Sequence, residues 1–202
     1  MKGLTMARLH PLEPEDFTPE LQELLGEDAL AQKEKLGIAR IWANRPDLYI
    51  PYKQFMATAM ARTLLPRRLI ELLRLRIAFH NQCRSCMAIR YSPALNDGIT
   101  EDLVCQLQNP EEGEDLSDTE RAALHYADLL ATNHMAINDA TFDFLRDHFT
   151  EEEIIDIGMH CAFFIGFGRL AMSWDMVDDL PDRFKQRGED AITPWGADAM
   201  VI

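Results

Sequence analysis

Cys83-Arg-Ser-Cys86 is the arrangement in this sequence best suited to chemistry. Two thiols three positions apart at a helix start can close a disulfide within one turn. The exposed amides and the positive end of the helix dipole favour a thiolate there, which points to Cys83, nearer the amides, as the more acidic thiol. Arg84 and Arg90 add positive charge, and each pKa unit of lowering corresponds to about 1.4 kcal/mol of preference for the thiolate. Spacing alone leaves three readings open: a redox dithiol, half of a zinc site, and two incidental buried cysteines. Zinc needs two further ligands. His80 lies three residues before Cys83, but Cys105 and the His160-Cys161 pair are distant, and there is no second CxxC and no HxxxH. Zinc is therefore the weaker alternative.

The surrounding charge is uneven. From Ala61 to Arg90 there are seven arginines (62, 67, 68, 74, 76, 84 and 90) against one acid, Glu71, whereas Glu101 to Glu120 carries eight acids and no base. The acidic run reads as a solvated loop and helix start. The net charge of −14 argues against nucleic acid or an anionic membrane as partner, since either demands Lys and Arg to neutralise phosphates. The longest uncharged apolar run, Cys161 to Gly168, falls far short of the roughly 20 residues that cross a bilayer. The segment Met1 to Thr5 reaches Arg8 and His10 before any apolar stretch, which predicts no secretory signal and a cytoplasmic address. Four cysteines in 202 residues are too sparse for a disulfide scaffold.

The elements that must position these thiols read as helices. Hydrophobic residues make up 47% and charged residues 27%, with ten Gly and ten Pro, and Ala, Leu, Met, Glu and Arg outweigh the strand formers. The expectation is an all-α bundle. Thr18-Pro19 opens a short helix closed by Gly26, and a second begins near Asp47, with Pro51 limiting how early it becomes regular. Pro66 starts an apolar helix to about His80, and a helix over Arg84 to Asn96 follows, stopped by Asn96-Asp97-Gly98. Thr100, Ser117 with Glu120, Asn138 or Asp139, and Thr150 with Glu153 mark four further starts. Glycines 158, 166 and 168 in the last, long helix suggest close packing. Glu71-Leu-Leu and Glu153-Ile-Ile form a faint internal echo, which suggests an old duplication of a helical unit, with common helical grammar as the alternative. The organisation expected is one helical domain over 1–178, with the motif segment at 66–97, and a surface or subunit-contact tail over 179–202 containing Pro181, Gly188, Pro194 and Gly196.

Glu71, eleven residues and then Cys83-x-x-Cys86, following an apolar helix, resembles the alkylhydroperoxidase D and carboxymuconolactone decarboxylase-like family. The similarity runs weakly from about Arg40 to Asp178 and includes Leu116 to Leu124. It implies an all-helical, homo-oligomeric protein that reduces organic hydroperoxides through a dithiol; the leading expectation is that an external dithiol reductant resets the pair, with no metal or cofactor. By this resemblance Cys86 is the peroxide-attacking cysteine, Cys83 its partner, and Glu71 the carboxylate of a proton relay. The chain departs from the family pattern at Arg90, where the family has His, and Arg cannot shuttle a proton. The expectation is that Arg90 pairs with Glu71 and lowers the pKa of Cys86. His80 is an auxiliary candidate base; Tyr91, Trp42 and Phe79 are pocket wall or core. Cys105, Cys161, His125, His134, His148 and His160 are assigned to packing or surface. Two other functions stay open: a decarboxylase-type lyase, which has no need of a vicinal dithiol, and a non-catalytic oligomer whose CxxC senses redox state or clips zinc.

Overall fold

The computed structural model describes residues 6–186, 191–195 and 199–202; the readings made on Met1–Thr5, Gly188 and Gly196 lie outside them. The helices are α1 (Pro19–Leu25), α2 (Glu27–Leu30), α3 (Lys33–Leu36), α4 (Ala39–Trp42), α5 (Pro46–Arg62) and α6 (Arg67–His80). Then come α7 (Arg84–Ala88), α8 (Ser92–Asn96), α9 (Glu101–Gln106), α10 (Asp118–Thr132), α11 (Asp139–Arg146), α12 (Glu151–Trp174) and α13 (Asp182–Lys185). Two short strands, β1 (Ile89–Arg90) and β2 (Met200–Val201), pair in parallel. The fold is all-α, as composition and punctuation lead one to expect.

α6 is the central element, packed chiefly against α10 and α12. Its residues 69–75, 77 and 78 are buried, so it is enclosed nearly all round, and its leucines each contribute on the order of 2 kcal/mol of burial. The main core joins Leu72, Leu73 and Leu75 to Leu124, Leu145 and Ile157. A second cluster under the amino-terminal helices centres on Phe17, Leu21 and Tyr49. A third, Ala78, Met87, Ala88, Val177, Leu180 and Phe184, lies beneath the cysteine motif.

Local sequence dictates the helix starts. Thr18, Thr100, Ser117, Asn138 and Thr150 each accept a backbone N–H from the first turn they open, and the last three complete reciprocal capping boxes. α5 starts at Pro46 and runs through Pro51. Of the three glycines in α12, only Gly168 is forced by packing: a Cβ there would stand 2.5 Å from Asn81 Nδ2.

Two expectations need correction. The predicted single helix over Arg84 to Asn96 is broken into α7, β1 and α8. Pro93 has no N–H to offer the Ile89 carbonyl, and that carbonyl instead accepts from Arg74 Nη2 at 2.7 Å and Arg90 Nη1 at 3.0 Å. The segment after Asp178, expected on the surface or on a neighbouring subunit, packs in its described part on its own chain. Phe184 is fully buried, and Ile192 and Met200 lie against the third cluster.

α12 is also longer than its uncharged centre suggests. By length and composition it could cross a membrane. It carries His160, 1% exposed and 3.3 Å from Asp156 Oδ1. Burial holds the ring's pKa below its ordinary 6.5; Asp156 opposes this and the Arg67 cation adds to it. A histidine that folding keeps neutral binds fewer protons than it does in the unfolded chain, so the stability it contributes is present above pH 6.5 and is lost as pH falls below it. Urea unfolding at pH 7.5 and 5.5 is expected to show a smaller acid loss for His160→Gln than for the native chain; equal losses would contradict this.

Candidate active site

The turn out of α6 sets the cysteine motif. Asn81 caps the helix, its backbone N–H donating to Ile77 O at 2.9 Å. Its side chain is fixed between Phe164 O, to which it donates at 2.8 Å, and Arg169 Nε, from which it accepts at 3.1 Å. Gln82 then takes a φ of +50°, and Cys83 N donates back to Ala78 O at 3.1 Å.

Cys83 is the N-cap of α7 and is fully buried; its sulfur accepts the Cys86 N–H at 3.3 Å. Cys83 and Cys86 are joined as a disulfide across a Cα–Cα distance of 5.2 Å. Cys86 is half-buried, so it is the more exposed residue of the pair. The other cysteines are free: Cys105 is exposed, and Cys161 is buried with its thiol pushed up to about 12 by that burial. Among the described residues no group of three or more His, Cys, Asp or Glu is placed to hold a metal ion.

Glu71 is reached through a residue that sequence reasoning passed over. Arg74 grips both Glu71 oxygens at 2.7 Å and donates to the Cys86 carbonyl at 2.6 Å and to the Ile89 carbonyl at 2.7 Å. Glu71 is 3% and Arg74 8% exposed. Burial works against the Arg74 cation, but the charge and hydrogen bonds of Glu71 outweigh it and hold its pKa above the ordinary guanidinium value. The guanidinium also stacks on the Tyr91 ring at 4.9 Å, which makes Tyr91 a wall of this cluster. The three-residue spacing of Glu71 and Arg74 on one apolar helix was the available signal; the carbonyl partners were not visible.

The expected pairing of Arg90 with Glu71 is not formed. Arg90 is 1% exposed and binds Glu101 at 2.8 and 3.1 Å, together with the carbonyls of Met87, Ile89 and Pro194. Glu101, eleven residues on, is the acid that Arg90 binds, while Arg74 holds both Glu71 oxygens. Arg84 is likewise committed, to Asp175 and to the carbonyls of Lys185 and Gln186. Both arginines tie the motif to the rest of the chain.

His80 faces α10. Its Nε2 lies 2.7 Å from Asp128 Oδ1, and Arg76 grips both oxygens of the same carboxylate at 2.7 and 2.9 Å. Burial raises the Asp128 carboxyl, but the bonds from His80 and Arg76 more than reverse that and leave it below its ordinary range. Trp42 stacks with Tyr49 and Tyr52 and meets Trp174 edge-on. Phe79 packs on Trp195.

The arrangement can open and close a disulfide at Cys86, with the inner sulfur held in place and an ion pair fixing the far end of the short helix. A model of the carboxymuconolactone decarboxylase family matches residues 46–129, from α5 into α10. No curated protein matches the chain. Among solved structures it is similar to an uncharacterized peroxidase-related protein of Ralstonia eutropha described as an alkylhydroperoxidase AhpD core. The identity is 22%, over 90% of this chain and 96% of that one, with a TM-score of 0.73. An uncharacterized peroxidase-related protein of Silicibacter sp. matches at 17% identity, over 85% of this chain and 94% of that one, with a TM-score of 0.61. A protein of unknown function from Agrobacterium tumefaciens matches at 23%, over 66% and 91%, with a TM-score of 0.57. At these identities the likeness is one of fold.

Proposed function

We propose, from the match of residues 46–129 to a model of the carboxymuconolactone decarboxylase family and from the unequal burial of the two cysteines, that the protein is a thiol-dependent peroxidase acting on organic hydroperoxides. The observation that carries the reading is the Cys83–Cys86 disulfide with Cys83 fully buried and Cys86 only half-buried. A peroxide must reach the sulfur that attacks it, so Cys86 is the nucleophile, in agreement with the residue correspondence and against the helix-dipole ranking. The Cys86 thiolate attacks the outer oxygen and the O–O bond breaks. The alkoxide leaves and takes a proton to become the alcohol, and Cys86 becomes a sulfenic acid. Cys83 then attacks that sulfur, water leaves, and the disulfide forms. An external dithiol returns both electrons and two protons.

Glu71 enters this scheme as the carboxylate that fixes Arg74 across Cys86 O and Ile89 O, and Arg90 as a tether; neither is poised as a proton carrier in the disulfide form. The reading is tested by following tert-butyl hydroperoxide loss with dithiothreitol as reductant. Turnover abolished by loss of Cys86 and slowed by loss of Cys83 supports it, and no turnover leaves the lyase or sensor readings.

The same reading includes self-association in the cytoplasm. α5 has seventeen residues and buries only Tyr49. Phe55 is 47% exposed and meets Phe163 of α12, where Ile155, 63% exposed, and Met159 lie one turn apart. Leu48 near the start of α5 and Leu64 just beyond its end are also exposed, and exposed apolar side chains in this number mark an interaction surface. A second copy of the chain is the occupant proposed, in keeping with the homo-oligomer that the family resemblance implies. Light scattering at micromolar concentration is expected to show an oligomer that Ile155→Lys with Met159→Lys dissociates while helicity is retained. A native monomer would contradict it.

A further inference from the structure

Gln82, the residue immediately before Cys83, has a φ of +50°, in the left-handed region that residues with a Cβ seldom occupy and that surrounding contacts must hold in place. Its side-chain amide supplies those contacts. Nε2 donates to Phe79 O at 2.7 Å and to Ile192 O at 3.1 Å, and Oε1 accepts from Ile192 N at 2.9 Å. The two bonds to Ile192 close a reciprocal pair between the motif turn and a residue 110 positions later.

This pair is one of several points at which the end of the chain grips the motif. Before the disulfide helix ends, Arg84 donates to the carbonyls of Lys185 and Gln186. After it, Arg90 Nη2 donates to Pro194 O at 2.5 Å and Arg90 O accepts from Ile202 N at 3.0 Å. Ile192 and Met200 also pack, with Cys86, on the cluster of Ala78, Met87 and Phe184.

We infer that Gln82 is a positioning residue through which the chain's end, clamped on its amide by Ile192, fixes the turn that holds Cys83 against Cys86 and so favours the disulfide over the dithiol. The physical reason is conformational. Closing a disulfide requires one thiol to be held at the other, and a turn already fixed has less freedom to lose on closure. Released from its anchor, an ordinary residue at position 82 leaves the left-handed region, and the bond from Cys83 N to Ala78 O goes with it.

The inference rests on the dithiol reading, and its test keeps the two apart. The full chain is equilibrated with glutathione: the protein disulfide and two glutathione thiols give the protein dithiol and one glutathione disulfide, through a mixed disulfide at Cys86. Gln82→Ala and Ile192→Pro are each expected to shift this equilibrium about tenfold toward the dithiol, a rise of about 30 mV for a two-electron couple. The double variant shifts no further than either alone, because both break one clamp. Gln82→Gly, which adopts a positive φ without an anchor, shifts it only about threefold. If Gln82→Ala and Ile192→Pro melt at lower temperature but keep the native redox equilibrium, the chain's end is mere cover and the inference is overturned. A native protein that exchanges no disulfide with glutathione overturns the dithiol reading as well.

Discussion

Replacing Cys86 by Ser is expected to lower hydroperoxide consumption by roughly two orders of magnitude or more, because a hydroxyl at neutral pH is not a comparable nucleophile. Cys86 is the more exposed residue of the pair and Cys83 is fully buried, so no second exposed thiol stands ready at the same place. Cys83→Ser has a different signature. The first attack on peroxide survives, but the sulfenic acid at Cys86 has no inner thiol to condense with, so it persists and can be trapped by dimedone. Turnover then continues only as fast as the external reductant attacks the sulfenic acid itself. Stopped-flow peroxide loss with mass analysis of the trapped product separates the two variants. Equal loss of the first turnover in both, or activity left in Cys86→Ser, would move the attack away from Cys86.

The second large effect is on stability. Arg74→Met is expected to cost about 3–5 kcal/mol in chemical unfolding, the range for removing one partner of a buried ion pair. Glu71 is 3% exposed and would be left as an uncompensated carboxylate, while the carbonyls of Cys86 and Ile89 would each lose a charged donor. Arg74→Lys is expected to recover only a minor part, since one ammonium cannot span two carboxylate oxygens and two carbonyls in a fixed fork. A cost under about 1 kcal/mol for Arg74→Met would show that the cluster does not hold the motif in place.

These two predictions draw on different depths of the sequence. The helix starts at Ser117, Asn138 and Thr150 were legible because a cap is a local interaction, complete within four residues. The cysteine pair was legible for the same reason, since its spacing alone brings the sulfurs together. The break at Ile89–Arg90 was carried by Pro93, but that signal competes with a strong stop at Asn96-Asp97-Gly98 and is easily read as one longer helix. The roles of Arg84 and Arg90 were not legible. Their positive charge near the cysteines suggested thiolate activation, whereas their partners include Asp175 and Pro194, 91 and 104 positions away. A cation's nearest acid in space is decided by packing, and Glu71 is held by Arg74. The end of the chain reads as irregular because it carries Pro and Gly, and irregularity does not reveal that Phe184 is buried or that Ile192 clamps Gln82.

The central claim is that Cys83 and Cys86 exchange electrons with a hydroperoxide, and peptide mapping by mass spectrometry tests it most directly. The protein is fully reduced, freed of reductant, treated with one equivalent of tert-butyl hydroperoxide and alkylated before digestion. The account predicts one Cys83–Cys86 disulfide and one tert-butanol per chain, with Cys105 and Cys161 recovered as alkylated thiols. Recovery of Cys83 and Cys86 as alkylated thiols, with oxidation at Cys105 or Cys161 instead, would contradict it.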